Sequence, residues 1–372
     1  MRRVLLFVIA FLGAFSQAQA QSYDFTPVTQ LVDSFVGPGG QDLLDGASLI
    51  VIKDGQPIYQ QNFGSYAHIN PPTVSIASAS KWLAALVLER LVESGQMSWD
   101  DTVADYFGTD YPNSDPEKGA ITLGQLFSHT SGISSVSATC LSYQYRNMSL
   151  DKCAQQVLGM PLAYAPGSTF AYGENSMQVA GAMAQRATGK SWAVLLRSQL
   201  TRPLNLTDTD FGLNQRGKPF PNPIIAGGAR STMSDYSHVV QMVLQDGVFN
   251  GKRFLEASSI AEMQFDQTHG VPIDPQFDPY PEAFGYGYGE WRDEIDCNGV
   301  ATHVSSTGAF GTSPWVDYDH GIAAVFLTYK QNPDPQVRGL ISQVWAAVGD
   351  VIEAGSSASN RLSKIHRIAC NP

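Results

Sequence analysis

The apolar and polar positions of this 372-residue chain change rhythm along its length. Near the start, a helical pattern over Thr26–Phe35 stops at the stretch GPGG, residues 37–40. Two strand-like runs, ASLIVIK and QPIYQQNFG, then flank Asp54-Gly55, a strong signal for a two-residue hairpin turn. From Ser78 to Met263 the pattern is mostly helical. The stretch Ser78–Ser94 predicts a helix closed by Gly95, and because Trp82–Leu88 is apolar on nearly every side, that helix should be central and buried. NSMQVAGAMAQRATG, SWAVLLRSQLTRPLN and STMSDYSHVVQMVLQDG predict three more, the last with Thr232 as its cap and Asp235 in its first turn. After Phe284 short strand-like runs return: GYGYGEW, ATHVSSTG, TSPWVDYD and GIAAVFLTYK, separated by Gly and Asp turns. A last helix covers Pro335–Ala354. Strands at both ends with helices between them predict an α/β fold of the α+β kind. One antiparallel sheet is drawn from residues 21–77 and 284–372, with a mostly helical part, 78–283, inserted in the middle.

At the mouth of the central helix stand Ser78 and Lys81, three residues apart and so on one face. A serine hydroxyl is a poor nucleophile without a base beside it. A lysine can serve, because burial disfavours the charged form of an amine. The positive end of a helix also favours a developing oxyanion. The spacing alone is weak: Ser149 and Lys152 repeat it in MSLDKC, where a helix-capping serine and a solvated lysine are the simpler reading.

Further segments change the balance. Ser78-Ala-Ser-Lys81 is similar to the SxxK motif of the penicillin-binding-protein and serine β-lactamase superfamily. LVESGQMSWDDTVADYF resembles the segment after that family's nucleophile helix, and ITLGQLFSHTSGI its LLxHTSG stretch. APGSTFAYGENSMQVAG resembles its tyrosine motif, AGGARSTMSDY its late helix start, and HVSSTGAFGTSPWVD its third motif. The likeness runs from about residue 30 to 350 in one order, and is strongest to class C β-lactamase-like esterases (family VIII) and D-amino-acid peptidases.

The resemblance implies a β-lactamase/transpeptidase-like fold and a role for each matching residue. Ser78 is the acylated nucleophile, Lys81 its general-base partner, and Tyr172 the motif tyrosine that passes protons. Ser306-Thr307-Gly308 form the third motif on an edge strand, with Gly308 letting the substrate backbone come close. The N–H groups of Ser78 and Ala309 form the oxyanion hole. Thr130, Ser131 and Gly132 fix a structural turn. His129 precedes that turn and is not read as part of a Ser-His-Asp triad, since the chain has no GxSxG elbow. His303 reads as a strand-end residue, and Phe310 and Trp315 more simply as core than as pocket wall.

Two positions depart from the family. The tyrosine motif usually ends in asparagine, but that position is Glu174, with Asn175 next door. An asparagine amide can donate to a substrate carbonyl, whereas an ionised glutamate cannot. The third motif opens with Ser306 in place of a lysine or arginine. Both changes disfavour an anionic substrate, so neutral or cationic esters or amides are expected ahead of penicillins and D-alanyl carboxylates.

Composition is globular, with 43% apolar and 15% charged residues and a net charge of −11. Arg2, Arg3, the apolar run Val4–Phe15 and Ala18-Gln19-Ala20 read as an export signal over residues 1–20, leaving a hydrolase domain over 21–372. Removing the two signal arginines takes the charge from −11 to −13. No basic cluster invites nucleic acid or an anionic membrane, and no stable membrane insertion is expected after cleavage. The four cysteines show no CxxC and the seven histidines no HExxH, so neither a metal nor another cofactor is expected. In a periplasmic or secreted protein the cysteines suggest disulfides, Cys140–Cys153 and Cys297–Cys370 being the favoured connectivity of three. The expected activity is ester hydrolysis on small molecules, then D-amino-acid peptide or amide hydrolysis, then β-lactam hydrolysis. An acyl-binding sensor without turnover is the rival outside enzymes. Oligomeric state is left open.

Overall fold

The structure is a computed structural model describing residues 22–37, 39–68, 72–274, 283–331 and 335–355. The expected signal, Met1–Ala20, and Cys370 lie outside the described residues. Helix α1 (Thr26–Asp33) leads into strands β1 (Gly46–Lys53) and β2 (Gln56–Gly64). Asp54 and Gly55 between them have φ of 51° and 74°, the left-handed pair that a tight hairpin needs. The later strands are β3 (Trp291–Ile295), β4 (Ala301–Ser305), β5 (Ser313–Asp317) and β6 (Ile322–Thr328). They form one antiparallel sheet in the order β2-β1-β6-β5-β4-β3, so the two ends of the chain meet at β1 and β6, with Ile50 opposite Val325.

Both faces of the sheet are covered, which explains the near-continuous apolar runs of β1 and β6. Side chains alternate with the pleat. Leu49, Val51, Ala324 and Phe326 point to an outer layer made by α1 and the C-terminal helix Pro335–Gly355. Ile50, Ile52, Ala323, Val325 and Leu327 point to the large inner core. Helix α2 (Ser80–Glu93) runs through that core with Trp82 to Leu88 all fully buried, as its all-round apolar face requires. Helices α3 (Asn175–Thr188) and α4 (Met233–Leu244) flank it. Thr232 caps α4 by accepting from the Asp235 N–H at 3.1 Å. Ser149 caps the helix Leu150–Leu158 by accepting from the Lys152 N–H, so the second serine–lysine pair is a cap.

Three expectations need correction. The α-helix begins at Ser80, and Ser78 sits in a single 3₁₀ turn, Ala77–Ala79, ahead of it. GYGYGEW is a strand only from Trp291 on, because Gly285 and Gly289 adopt positive φ and break the extended run. Ser306–Gly308 do not lie on an edge strand: they follow the end of β4, an interior strand flanked by β5 and β3. Cys140 and Cys153 are bonded, while Cys297 is exposed and its expected partner lies outside the described residues. Among the described residues no helix is long and apolar enough to cross a membrane.

Candidate active site

The turn carrying Ser78 is held in an unusual backbone state. Ala77 has φ of 45°, a left-handed conformation costing an alanine about 1–2 kcal/mol. Its surroundings compensate. Ser80 Oγ donates to the Ala77 carbonyl at 2.6 Å and accepts from the Ala229 N–H at 2.9 Å. The Ile76 N–H donates to the Ala229 carbonyl, and Tyr236 Oη donates to the Ala79 carbonyl at 2.7 Å. The turn is therefore braced from the segment before α4 and from α4 itself. Ser78 is left half-buried at the surface of the cleft.

Lys81, one turn along, is buried to 1% exposure. Its Nζ donates to Ser78 Oγ at 3.1 Å and to the Ala226 carbonyl at 3.1 Å, and lies 4.5 Å from the centre of the Tyr172 ring. Tyr172, half-buried, stacks on Trp291 at 5.2 Å and tilts against His129 at 4.6 Å. Serine, lysine and tyrosine, 94 residues apart in the chain from first to last, thus meet at one point. Among the described residues the N–H groups of Ser78 and Ala309 have no hydrogen-bond acceptor, and Ala309 is exposed.

His129 lies beneath the tyrosine and is no base for Ser78. It is 2% exposed, and among the described residues both ring nitrogens are without a hydrogen-bond partner and no carboxylate orients it. Burial, with Lys81 adding to it, pushes its pKa well below the usual histidine range, so the ring stays neutral. It packs edge-on against Phe170 and tilted against Tyr286, a wedge under Tyr172. His303 turns to Asp293 at 3.1 Å and packs on Trp345 of the C-terminal helix. Trp315 belongs to the outer core, and Phe310 packs on Tyr329.

The third motif serves the protein's own backbone. Ser306 Oγ is buried, donates to the Gly289 carbonyl at 3.0 Å and lies 3.4 Å from the Ser78 carbonyl. A Cβ at Gly308 would sit 2.1 Å from the Ile76 carbonyl oxygen. The segment before the nucleophile by itself makes a close approach that demands glycine there. Thr307 Oγ1 meets Ser313 Oγ at 2.8 Å and closes the turn.

The two candidates for the family asparagine separate cleanly. Asn175 is 1% exposed and fully engaged: its Oδ1 accepts from the Ala138 N–H, and its Nδ2 donates to the Ser134 and Val136 carbonyls. It pins the 134–138 loop. Glu174 is half-buried and its carboxylate lies between Ser137 and Gly227. Its Oε2 accepts from Ser137 Oγ at 3.3 Å, and its Oε1 is 3.3 Å from where a Cβ on Gly227 would be.

A profile of the beta-lactamase family matches residues 28–348, most of the chain. The chain belongs to the beta-lactamase family. Among solved structures it is similar to a beta-lactamase-type protein from Bacteroides dorei DSM 17855, with a TM-score of 0.74 and 28% identity over 87% of this chain and 99% of that one. It also shares its fold with EstCE1, a hydrolase with promiscuous acyltransferase activity, with a TM-score of 0.65 and 18% identity over 85% of this chain and 96% of that one. Protein flp of Staphylococcus aureus strain MRSA252 is 26% identical over 178 residues, 46% of this chain and 36% of flp. The matched part spans about a third of the length of these curated relatives. The family comprises serine hydrolases and acyltransferases.

Several residues of this beta-lactamase-family site had no legible signal in the sequence. Ala226, 145 positions from Lys81, supplies a carbonyl and no side chain. Gly289 packs against the Lys81 carbonyl, where a Cβ would come within 2.6 Å. Trp291 was visible only as an aromatic near a strand, and its stack on Tyr172 is set by the bend at Gly289. Among the described residues no group of three His, Cys, Asp or Glu side chains could hold a metal.

Proposed function

We propose that this chain is a serine hydrolase that acts on small esters through an acyl-Ser78 intermediate. The observation that carries the reading is Lys81 Nζ held 3.1 Å from Ser78 Oγ with the Tyr172 ring 4.5 Å away. In the proposed cycle Ser78 Oγ bonds to the ester carbonyl carbon while its proton passes to the Lys81–Tyr172 pair. The Ser78 and Ala309 N–H groups hold the oxyanion. The C–O bond to the alcohol then breaks, and the alcohol leaves with that proton. Water attacks the acyl carbon next, releasing the acid and restoring Ser78. A second acceptor, an alcohol in place of water, is the alternative outcome of the same intermediate, and the acyltransferase activity of EstCE1 favours keeping it in view.

The proposal includes export, supported by the leader-like pattern of residues 1–20 and by the Cys140–Cys153 bond, which an oxidising compartment preserves. The test of the activity is steady-state hydrolysis of a neutral p-nitrophenyl ester by the mature protein beside Ser78→Ala. Turnover lost in the variant supports the reading, and equal turnover in both removes Ser78 from its role.

A further inference from the structure

We propose that Glu174 is a specificity-determining residue that selects substrates carrying an ammonium group. The inference rests on the acyl-Ser78 reading and deepens it by naming the substrate class. Glu174 stands at the end of the tyrosine motif, two residues after Tyr172, and immediately precedes helix α3. Its side chain makes no capping bond to that helix. Ser137 Oγ is its one hydrogen-bond donor among the described residues, at 3.3 Å. Among those residues no lysine, arginine or histidine nitrogen lies within 4.0 Å of its carboxylate.

A glycine lies between it and the nucleophile turn. The space a Cβ on Gly227 would fill is 3.3 Å from Glu174 Oε1 and 3.9 Å from the Ala77 carbonyl carbon. The carboxylate thus lies close against Gly227, on the side where Gly227 meets the turn that carries Ser78. A carboxylate beside the nucleophile turn, without a cation of its own within 4.0 Å among the described residues, recognises a substituted ammonium by its charge. The same carboxylate repels a substrate carboxylate. Asn175 cannot relax this selection by taking over, because its amide is spent on the 134–138 loop.

The test uses two matched pairs of phosphonate thioesters. In one pair a trimethylammonium and its neutral tert-butyl isostere are carried on the leaving thiol; in the other they are carried on the group retained on phosphorus. Reaction joins Ser78 Oγ to phosphorus, breaks the P–S bond and releases the thiol with the serine proton. It is read as the rate of mass gain on the Ser78 peptide. The expected result is that the cationic member of at least one pair labels about tenfold faster at low salt, as a charge-assisted contact of about 1.4 kcal/mol gives. The advantage should shrink as ionic strength rises and fall to about onefold in Glu174→Gln. Equal labelling of Ser78 by both members of both pairs in the wild-type protein overturns the inference and leaves the acyl-serine reading standing. An advantage that persists in folded Glu174→Gln also overturns it. Absence of label on Ser78 with every probe removes the acyl-serine reading and the inference with it. The salt dependence of the wild-type ratio keeps the proposal falsifiable should Glu174→Gln fail to fold: an advantage unmoved by salt counts against it.

Discussion

Lys81 Nζ lies 4.5 Å from the centre of the Tyr172 ring, on the same nitrogen that donates to Ser78 Oγ. The tyrosine therefore faces the lysine–serine pair with its ring fixed from behind by Trp291 and His129. Removing its hydroxyl alone, in Tyr172→Phe, keeps that stack and takes away the proposed proton carrier. The expected loss in kcat is about 10²–10⁴-fold, with thermal stability nearly unchanged. Lys81→Met should lose at least as much. Steady-state kinetics with a p-nitrophenyl ester, beside a thermal melt, checks both.

Ser306 fills the family's cationic position but is buried against two backbone carbonyls. Ser306→Ala leaves the Gly289 carbonyl without its donor and should cost about 1–2 kcal/mol. Ser306→Lys must bury a longer, charged side chain at a site 3% exposed and should cost more than about 3 kcal/mol. Restoring the family's cation at this position should therefore not restore penicillin turnover. Denaturant unfolding and a cephalosporin assay read the two effects. A cephalosporin hydrolysed faster than a neutral ester by the wild-type protein would contradict the electrostatic argument from Glu174 and Ser306.

Gly308→Ala forces a Cβ to within 2.1 Å of the Ile76 carbonyl oxygen, so the third-motif turn or the nucleophile turn must move. Overpacking of this kind costs about 1–3 kcal/mol. Because Ala309 follows directly and Ala77 lies beside the clash, the proposed oxyanion donors shift together. The expected signature is a fall in kcat of more than about tenfold with a smaller change in KM, measured on the folded fraction.

Glu89 of helix α2 is buried, and burial pushes its carboxyl up to about 7 although Trp99 Nε1 donates to it at 2.7 Å. It lines a cavity of about 680 Å³ together with Trp99 and Tyr288, away from the Ser78 turn. A raised folded-state pKa means that the unfolded chain gives up its proton first. The stability linked to this group is thus complete below about pH 4.5 and is lost as pH rises through about 7. The full loss is on the order of 3 kcal/mol. Glu89→Gln keeps an acceptor for Trp99 and should flatten the decline between pH 5 and pH 8, as read by urea unfolding at the two pH values.

The Cys140–Cys153 bond fastens the 3₁₀ turn Thr139–Leu141 to the helix Leu150–Leu158, next to the loop that Asn175 pins and that carries Ser137. Cys140→Ser with Cys153→Ser should lower stability by about 2–4 kcal/mol. Any ammonium preference should weaken in the same double variant, since the loop holding Ser137 against Glu174 loosens. Melting curves and the labelling ratio check these in turn.

What the sequence determined by itself is what depends on neighbours along the chain. ASLIVIK and GIAAVFLTYK were legible as strands because they are short apolar runs bounded by turn residues. The apolar run Trp82–Leu88 required a central helix, Asp54-Gly55 a hairpin, and Thr232 a cap. Ser78 and Lys81 were legible as a pair because a spacing of three brings side chains to one face even where, as here, the first residue precedes the α-helix.

Tertiary structure alone decided which groups arrive from elsewhere and which way each one points. It gave Lys81 the Ala226 carbonyl, brought the Ile76 carbonyl against Gly308, and turned the Ser306 hydroxyl onto Gly289. It also separated Glu174 from Asn175. Adjacent residues at a helix start project in different directions, and the 134–138 loop claims the asparagine while the carboxylate meets Ser137. Such partners are set by chain closure over tens to hundreds of residues, and no local pattern of polar and apolar positions encodes them.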